Sequence, residues 1–92
     1  MKLNNKKKIL IHFIGIGGIG MSGIAELMYD LGFNIQGSDI NINENTLRLK
    51  SKGIKIFKGH FKKNVNKVSV AVYSSAIDKN NTEIKVCKKN SI

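Results

Sequence analysis

The run Gly15-Ile16-Gly17-Gly18-Ile19-Gly20 separates an apolar, strand-like stretch (Ile9 to Ile14) from a helix-like one and restricts the fold more than any other part of the chain. A G-x-G-x-x-G string is weak evidence alone, but between a strand and a helix it has a mechanism. Gly15 suits the tight turn, Gly17 lets an anionic phosphate approach the backbone, and Gly20 lets the helix pack close to the strand. The unpaired N–H groups of the helix's first turn and its positive dipole end then face the anion. Asp39 lies 19 residues beyond Gly20, after a second short apolar segment, where a carboxylate can accept from a ribose hydroxyl. Together these features predict a site for a nucleoside diphosphate.

The rest of the chain continues the alternation. Ile9 to Ile14 is near-continuously apolar, as in a parallel strand covered on both faces. From Met21 the apolar residues Met21, Ile24, Ala25, Leu27, Met28 and Leu31 predict a helix whose apolar stripe is core, stopped at Gly32. Phe33 to Gly37 reads as a second strand. Asn43 or Asn45 caps a second helix that runs to about Lys52 and ends at Gly53, and Ile54 to Phe57 is a third strand. Val68 to Tyr73 reads as a fourth, with Ser74-Ser75-Ala76-Ile77 at its C-terminal end. Asn80 or Asn81 caps a last helix, with Glu83 placed as in a capping box and Ile84 and Cys87 turned inward. The expected fold is α/β, a Rossmann-like parallel sheet of four or five strands with flanking helices. Ligands of such sheets bind beyond the C-terminal ends of the strands. There lie the glycine loop, Asp39, His60 and Ser74 to Ile77.

Ninety-two residues suffice for one small domain and not for a two-domain enzyme. No apolar stretch approaches the roughly 20 residues of a membrane span, and the lysine-rich start leads into a strand without a cleavage-like site, so a cytoplasmic domain is expected. The single cysteine, Cys87, forms no intrachain disulfide and no cysteine-based metal cluster, and reads as packing. A net charge of +10 invites a nucleic-acid reading. Composition argues against it: Lys (15), Asn (11) and Ile (14) fill 40 of the 92 positions, the lysines are spread along the chain, and no aromatic residues are interleaved with them for base stacking. Neither nucleic acid nor a membrane is expected as a partner.

Gly15 to Ser22 comes close to a Walker A loop, but Met21 stands where the lysine must be. Without that cation ATP hydrolysis here is not expected. Backbone N–H groups remain, which suits a diphosphate held without chemistry. An NAD-binding regulatory or dehydrogenase domain fits the glycine fingerprint and Asp39 equally well on physical grounds.

Wider motifs separate the two. Ile11-His12-Phe13-Ile14-Gly15-Ile16-Gly17-Gly18-Ile19-Gly20-Met21-Ser22-Gly23-Ile24-Ala25-Glu26 resembles the opening of the UDP-N-acetylmuramate:L-alanine ligases, members of the Mur ligase family that add the first amino acid in peptidoglycan synthesis. Gly37-Ser38-Asp39, Thr46-x-Arg48-Leu49, Gly53-Ile54, Gly59-His60, Asn64-Val65 and Ser74-Ser75-Ala76-Ile77 continue the likeness in order, from about Lys8 to Lys89. A sister family that attaches recycled tripeptide usually carries a cysteine where Gly17 stands.

The resemblance implies that residues 1–92 are the N-terminal, UDP-N-acetylmuramate-binding domain of a three-domain ligase. Gly15, Gly17, Gly18, Ile19, Gly20, Met21 and Ser22 would hold the diphosphate, Ser38 and Asp39 would lie beside the uridine, and Ser74, Ser75, Ala76 and Ile77 would edge the uracil pocket. ATP and magnesium are implied for the full-length enzyme, on a central ATPase domain that with the C-terminal domain would be this domain's partner. No catalytic residue, cofactor or metal site is expected within the 92 residues. Plainer roles stand beside these. His12 reads as a buried, hydrogen-bonded core histidine, and His60 as either a ligand contact or a loop-packing residue. Ser22 could serve as a first-turn cap, Ser74 and Ser75 as strand-end turn formers, and Asp39 as the cap of the segment before the second helix.

Overall fold

Strand β1 (Leu10–Ile14) lies inside the sheet, and that position explains its composition: Ile11, His12, Phe13 and Ile14 are all buried. The computed structural model describes residues 3–92. β1 pairs in parallel with β2 (Asn34–Asp39) on one side and with β4 (Val70–Val72) on the other, and β3 (Lys55–Lys58) pairs in parallel with β2. The described sheet has four strands in the order β3-β2-β1-β4, so the strand order reverses between β1 and β4. Helices α1 (Ile19–Asp30), α2 (Glu44–Lys52) and α3 (Thr82–Lys89) join or follow the strands. The expected alternation is therefore present. Among the described residues no helix is long and apolar enough to cross a membrane.

Strand alternation sorts the core into two layers. Ile11 and Phe13 of β1 and Ile35 of β2 pack with Ala25 of α1 and Leu49 of α2. The opposite face carries Val65, Val68 and Cys87 of α3, packed against Leu10 and Ala71. Cys87 is 2% exposed, and burial, helped by the negative charge of Glu83, pushes its thiol pKa up, so it behaves as a packed apolar group. His12, Gln36 and Ser38 are also buried, and β1–β2 register sets His12 beside Gln36 and Ile14 beside Ser38.

α2 starts and stops as its sequence predicts. The Asn43 side chain accepts from the Thr46 N–H at 2.9 Å while Thr46 Oγ1 accepts from the Asn43 N–H at 2.8 Å, a reciprocal cap, and Gly53 ends the helix at φ 109°. Arg48 and Lys52 reach across to Glu26 of α1 at 3.3 and 3.2 Å. The Thr46-x-Arg48-Leu49 motif thus caps, ties and buries the helix.

Four local expectations are corrected. α1 begins at Ile19, inside the glycine run, rather than at Met21. Its inward residues are Ser22 and Ala25, flanked by partly buried Met21, Met28 and Tyr29, whereas Ile24, Leu27 and Leu31, expected in the core stripe, are 46%, 60% and 54% exposed. A helix with apolar residues on most of its circumference has two possible stripes, and the small residues Ser22 and Ala25 select the one that lets α1 approach the sheet. β4 is only Val70–Val72, an edge strand paired on one side, while β2 extends to Asp39, which pairs with Lys58 of β3. Finally, Asn81 caps α3 by accepting from the N–H groups of Glu83 and Ile84, so Glu83 is the second helical residue and forms no capping box.

Candidate functional site

The glycine run leaves β1 through a tight turn at Gly15, whose φ of +81° only glycine adopts readily, and the N–H groups of Gly15 and Ile16 both bond to the Ser38 carbonyl of β2. Gly18 then enters α1 in an extended conformation with no side-chain cap. The Ser22 N–H makes the first intrahelical bond, to the Gly18 carbonyl at 2.8 Å. The preceding N–H groups, those of Ile19, Gly20 and Met21, have no carbonyl to bond and point out of the helix start. They open onto a cleft of about 450 Å³ between the ends of β1, β2 and β4, where the strand order reverses and doubly wound sheets bind their ligands.

Most of the predicted site residues meet at this cleft. Gly15, Gly18, Ile19, Gly20 and Met21 form one wall, Asp39 and His60 a second, and Ser74, Ala76 and Ile77 a third. Gly17, Ser22, Ser38 and Ser75 do not line it. Ser22 is buried with Oγ donating to the Ile19 carbonyl at 3.1 Å, and Ser38 is fully buried beneath the cleft floor. Ser74 shapes a turn, accepting from the Ala76 N–H at Oγ and from the Ile77 N–H at its carbonyl, which is the turn-forming role weighed from the sequence. Ile40 and Asn41 also line the cleft and were not predicted; their signal is adjacency to Asp39, since any residue just beyond a strand's C-terminal end borders this kind of site.

The glycines divide their labour differently from the expectation. A side chain on Gly17 would meet Asp39 Oδ2 and Thr46 Cγ2, both at 2.9 Å, so the space beside Gly17 belongs to the protein. Its N–H donates to Asp39 Oδ2 at 2.8 Å, and Oδ1 accepts from the Asn41 N–H. Asp39 therefore braces the glycine loop against the end of β2. Gly20 has open space where a Cβ would stand, so it does not mediate close packing of helix on strand; the close approach here is that of the glycine loop to β2, at Gly37, against Ile16 and the Phe13 carbonyl.

Under the cleft lies a buried polar network that sequence reasoning did not assemble. Glu83 of α3 has no exposed surface, and Oε1 accepts from His12 Nε2 at 2.7 Å and from Ser38 Oγ at 2.6 Å. Oε2 accepts from Asn64 Nδ2 at 2.8 Å and the Phe61 N–H at 3.1 Å. His12 is buried and fully bonded, as expected. The available signal was a pairing rule: a histidine in an apolar strand and an acid beside the inward residues Ile84 and Cys87 each require a buried partner.

The Glu83 carboxyl is held at about 2, below its ordinary 4.5. Burial is the largest single influence and raises it, but the hydrogen bonds from His12, Ser38 and Asn64 together prevail. The unfolded chain takes up this proton near 4.5 and the folded chain only near 2, so the stabilisation is complete above pH 4.5 and is lost as pH falls through that window. Urea unfolding at a series of pH values should show the wild-type chain losing stability between about pH 4.5 and 2, with a distinctly shallower loss in Glu83→Gln. Equal slopes would mean that other carboxylates carry the acid sensitivity.

Comparison with known proteins agrees with this geometry. Residues 10–92 match the model described as Mur ligase family, catalytic domain. The UDP-N-acetylmuramate--L-alanine ligase of Rickettsia typhi is 55% identical over all 92 residues, which make up 18% of that protein, and that of Rickettsia bellii is 52% identical, with 19% covered. The solved UDP-N-acetylmuramate-alanine ligase of Thermotoga maritima superposes with a TM-score of 0.87 at 34% identity, over 91% of this chain and 20% of that one. A murein peptide ligase from Psychrobacter arcticus gives 0.84 at 26% identity, over 91% of this chain and 18% of its own. The chain thus spans about a fifth of the length of these relatives. With its parallel sheet, its glycine loop at the strand-order reversal and a family match over residues 10–92, the chain belongs to the Mur ligase family.

Proposed function

We propose that residues 1–92 are the UDP-N-acetylmuramate-binding domain of a cytoplasmic, ATP-dependent ligase that joins L-alanine to that substrate in peptidoglycan synthesis. The observation that carries this reading is the uncapped start of α1, whose N–H groups open onto the cleft. None of the residues lining the cleft is a lysine or arginine, so the anion would be held by backbone donors and the helix dipole, each charge-assisted bond contributing roughly 1.5 to 3 kcal/mol. The diphosphate would sit on Gly18 to Met21, the uridine between Asp39, His60 and the turn at Ser74 to Ile77, with Gly17, Ser22 and Ser38 supporting from behind. The family match and the relatives' names support the ligase reading, not the NAD-binding alternative.

ATP and magnesium do not fit this domain. Met21 replaces the phosphate-binding lysine, and the one acidic residue on the cleft, Asp39, already accepts from the Gly17 and Asn41 N–H groups. Among the described residues no group of three or more His, Cys, Asp or Glu is placed to hold a metal. On this reading acyl-phosphate chemistry would fall to the parent protein's central domain, which with the C-terminal domain would close over the bound nucleotide. The 92-residue chain given ATP, L-alanine and UDP-N-acetylmuramate should release no phosphate above background; turnover would refute this division of labour.

Binding is tested by titration followed through amide NMR signals. UDP-N-acetylmuramate should perturb Ile19, Gly20 and Met21 while NAD at equal concentration does not, and the reverse preference would reject the reading. Gly20→Asp sharpens the test. Gly20 is exposed with nothing near its missing Cβ, so the side chain fits, and a carboxylate in the first helical turn stabilises α1 by about 0.3 to 1 kcal/mol. The same charge lies within roughly 5 Å of the proposed diphosphate and should weaken binding about ten- to hundredfold. A variant that is more stable yet binds UDP-N-acetylmuramate undiminished would exclude the α1 start as the phosphate site.

A further inference from the structure

We propose that Glu83 is a positioning residue which, through Ser38, holds His60 as its Nδ1–H tautomer, so that Nε2 enters the cleft as an acceptor for an N–H or O–H donor on the ligand. The identification of that ligand as a uridine nucleotide rests on the function proposed above; the tautomer does not.

Proton accounting through the buried network leads to this assignment. Gln36 Nε2 lies 2.7 Å from the Asn64 carbonyl oxygen, which only accepts, so this atom is the amide nitrogen. Its second N–H points at His12 Nδ1, 2.8 Å away, which must therefore be the unprotonated ring nitrogen. The His12 proton sits on Nε2 and is donated to Glu83 Oε1 at 2.7 Å. Ser38 has a single O–H, and its 2.6 Å contact with Glu83 Oε1 uses it, because a carboxylate held near 2 has no proton to give at neutral pH. Ser38 Oγ can then only accept from His60 Nδ1 at 2.8 Å, so Nδ1 carries the proton. Glu83 Oε1 lies 3.5 Å from the same nitrogen and favours that proton further.

The consequence falls on the cleft. His60 lines it with a side chain only 13% exposed, and among the described residues no hydrogen bond reaches its Nε2. With Nδ1 turned down onto Ser38, the opposite edge of the ring presents a lone pair. A ligand that offers a donor there gains a hydrogen bond, whereas one that offers an acceptor leaves two lone pairs opposed. A uridine nucleotide has two kinds of donor, the imide N–H at N3 of the base and the ribose hydroxyls. Both satisfy the same chemistry, and a cytosine ring, which has an acceptor at N3, lacks the first.

The chain contains two histidines, and the network assigns them opposite tautomers, Nε2–H for His12 and Nδ1–H for His60. Long-range 1H–15N spectra of ¹⁵N-histidine-labelled chain, at a pH well above the ordinary histidine range, distinguish the two directly. His60→Gln, which removes one signal set, assigns them. Wild-type His60 should show a protonated Nδ1 and an unprotonated Nε2, and Ser38→Ala should shift it toward the Nε2–H form. An Nε2–H signal in the wild type, or no change in folded Ser38→Ala, overturns the relay; should that variant fail to fold, the wild-type spectrum alone decides. UDP should then move the His60 Nε2 resonance, and the analogue that blocks the responsible donor, N3-methyl-UDP or 2′-deoxy-UDP, should bind about tenfold more weakly and leave that resonance in place. UDP binding that perturbs Ile19 to Met21 without moving His60 Nε2 overturns the acceptor role while sparing the nucleotide site. Failure of UDP to bind at all removes the nucleotide reading and the ligand half of this proposal, and leaves the tautomer result standing on the unliganded spectrum.

Discussion

Glu83→Ala is expected to remove about 3 to 5 kcal/mol of stability, because it takes the shared acceptor away from several buried hydrogen-bond donors. The carboxylate is the common acceptor for His12, Ser38, Asn64 and the Phe61 N–H, and all but the last are buried side chains. Alanine leaves those donors facing a hole that water reaches poorly, and each orphaned donor costs about 1 to 3 kcal/mol. A domain of this size has only about 5 to 15 kcal/mol in total. Thermal unfolding followed by circular dichroism should show a fall in Tm on the order of 20 °C. Glu83→Gln keeps the shape and half of the acceptors and should lie between the two. A loss below about 1 kcal/mol for the alanine variant would mean that the network is hydrated and does little for the fold.

Gly37→Val should be comparably damaging, at about 3 to 5 kcal/mol, through overpacking rather than lost bonds. Gly37 sits opposite Phe13 in the β1–β2 register, and a Cβ there would lie 2.6 Å from Ile16 Cβ and 2.8 Å from the Phe13 carbonyl oxygen. Ile16 is wholly buried, and the carbonyl is part of the sheet, so neither neighbour can yield. Valine adds two further carbons to that collision. Urea unfolding reads the loss as a lower midpoint. The matching control is Gly20→Ala, where no atom lies within 4 Å of the new carbon and the stability should stay within about 1 kcal/mol or rise. If both glycines tolerated substitution equally, the close approach of the glycine loop to β2 would not be a constraint on this fold.

These two residues mark where the reading of the sequence stops. The alternation of strands and helices, the parallel sheet, the turn at Gly15 and the stop at Gly53 were all legible in the sequence, and the cap of α2 was narrowed to Asn43 or Asn45, of which the structure uses Asn43. Each depends on side-chain period or backbone preference within a few residues, which the sequence carries directly. The strand-end rule likewise places Asp39, His60 and Ser74 to Ile77 around the glycine loop without any knowledge of packing. The outward stripe of Ile24, Leu27 and Leu31 on α1 could not be settled that way, because a helix with two apolar stripes buries whichever one its neighbours admit.

Glu83 shows the same limit more sharply. Locally it is an acid near the start of a helix, and a capping box is the reading that local chemistry favours. His12, 71 residues away, is what turns it inward, and the two meet only because His12 projects from the face of the sheet that α3 covers. Gly37 is likewise an ordinary strand glycine until Ile16 lies across it. What the sequence determined by itself is the set of elements and the end of the sheet at which the predicted site residues gather, since those follow from local periodicity and strand direction. Which polar groups pair beneath that site, and which glycine the fold cannot replace, only the tertiary structure decided, because both depend on contacts between residues that no local pattern relates.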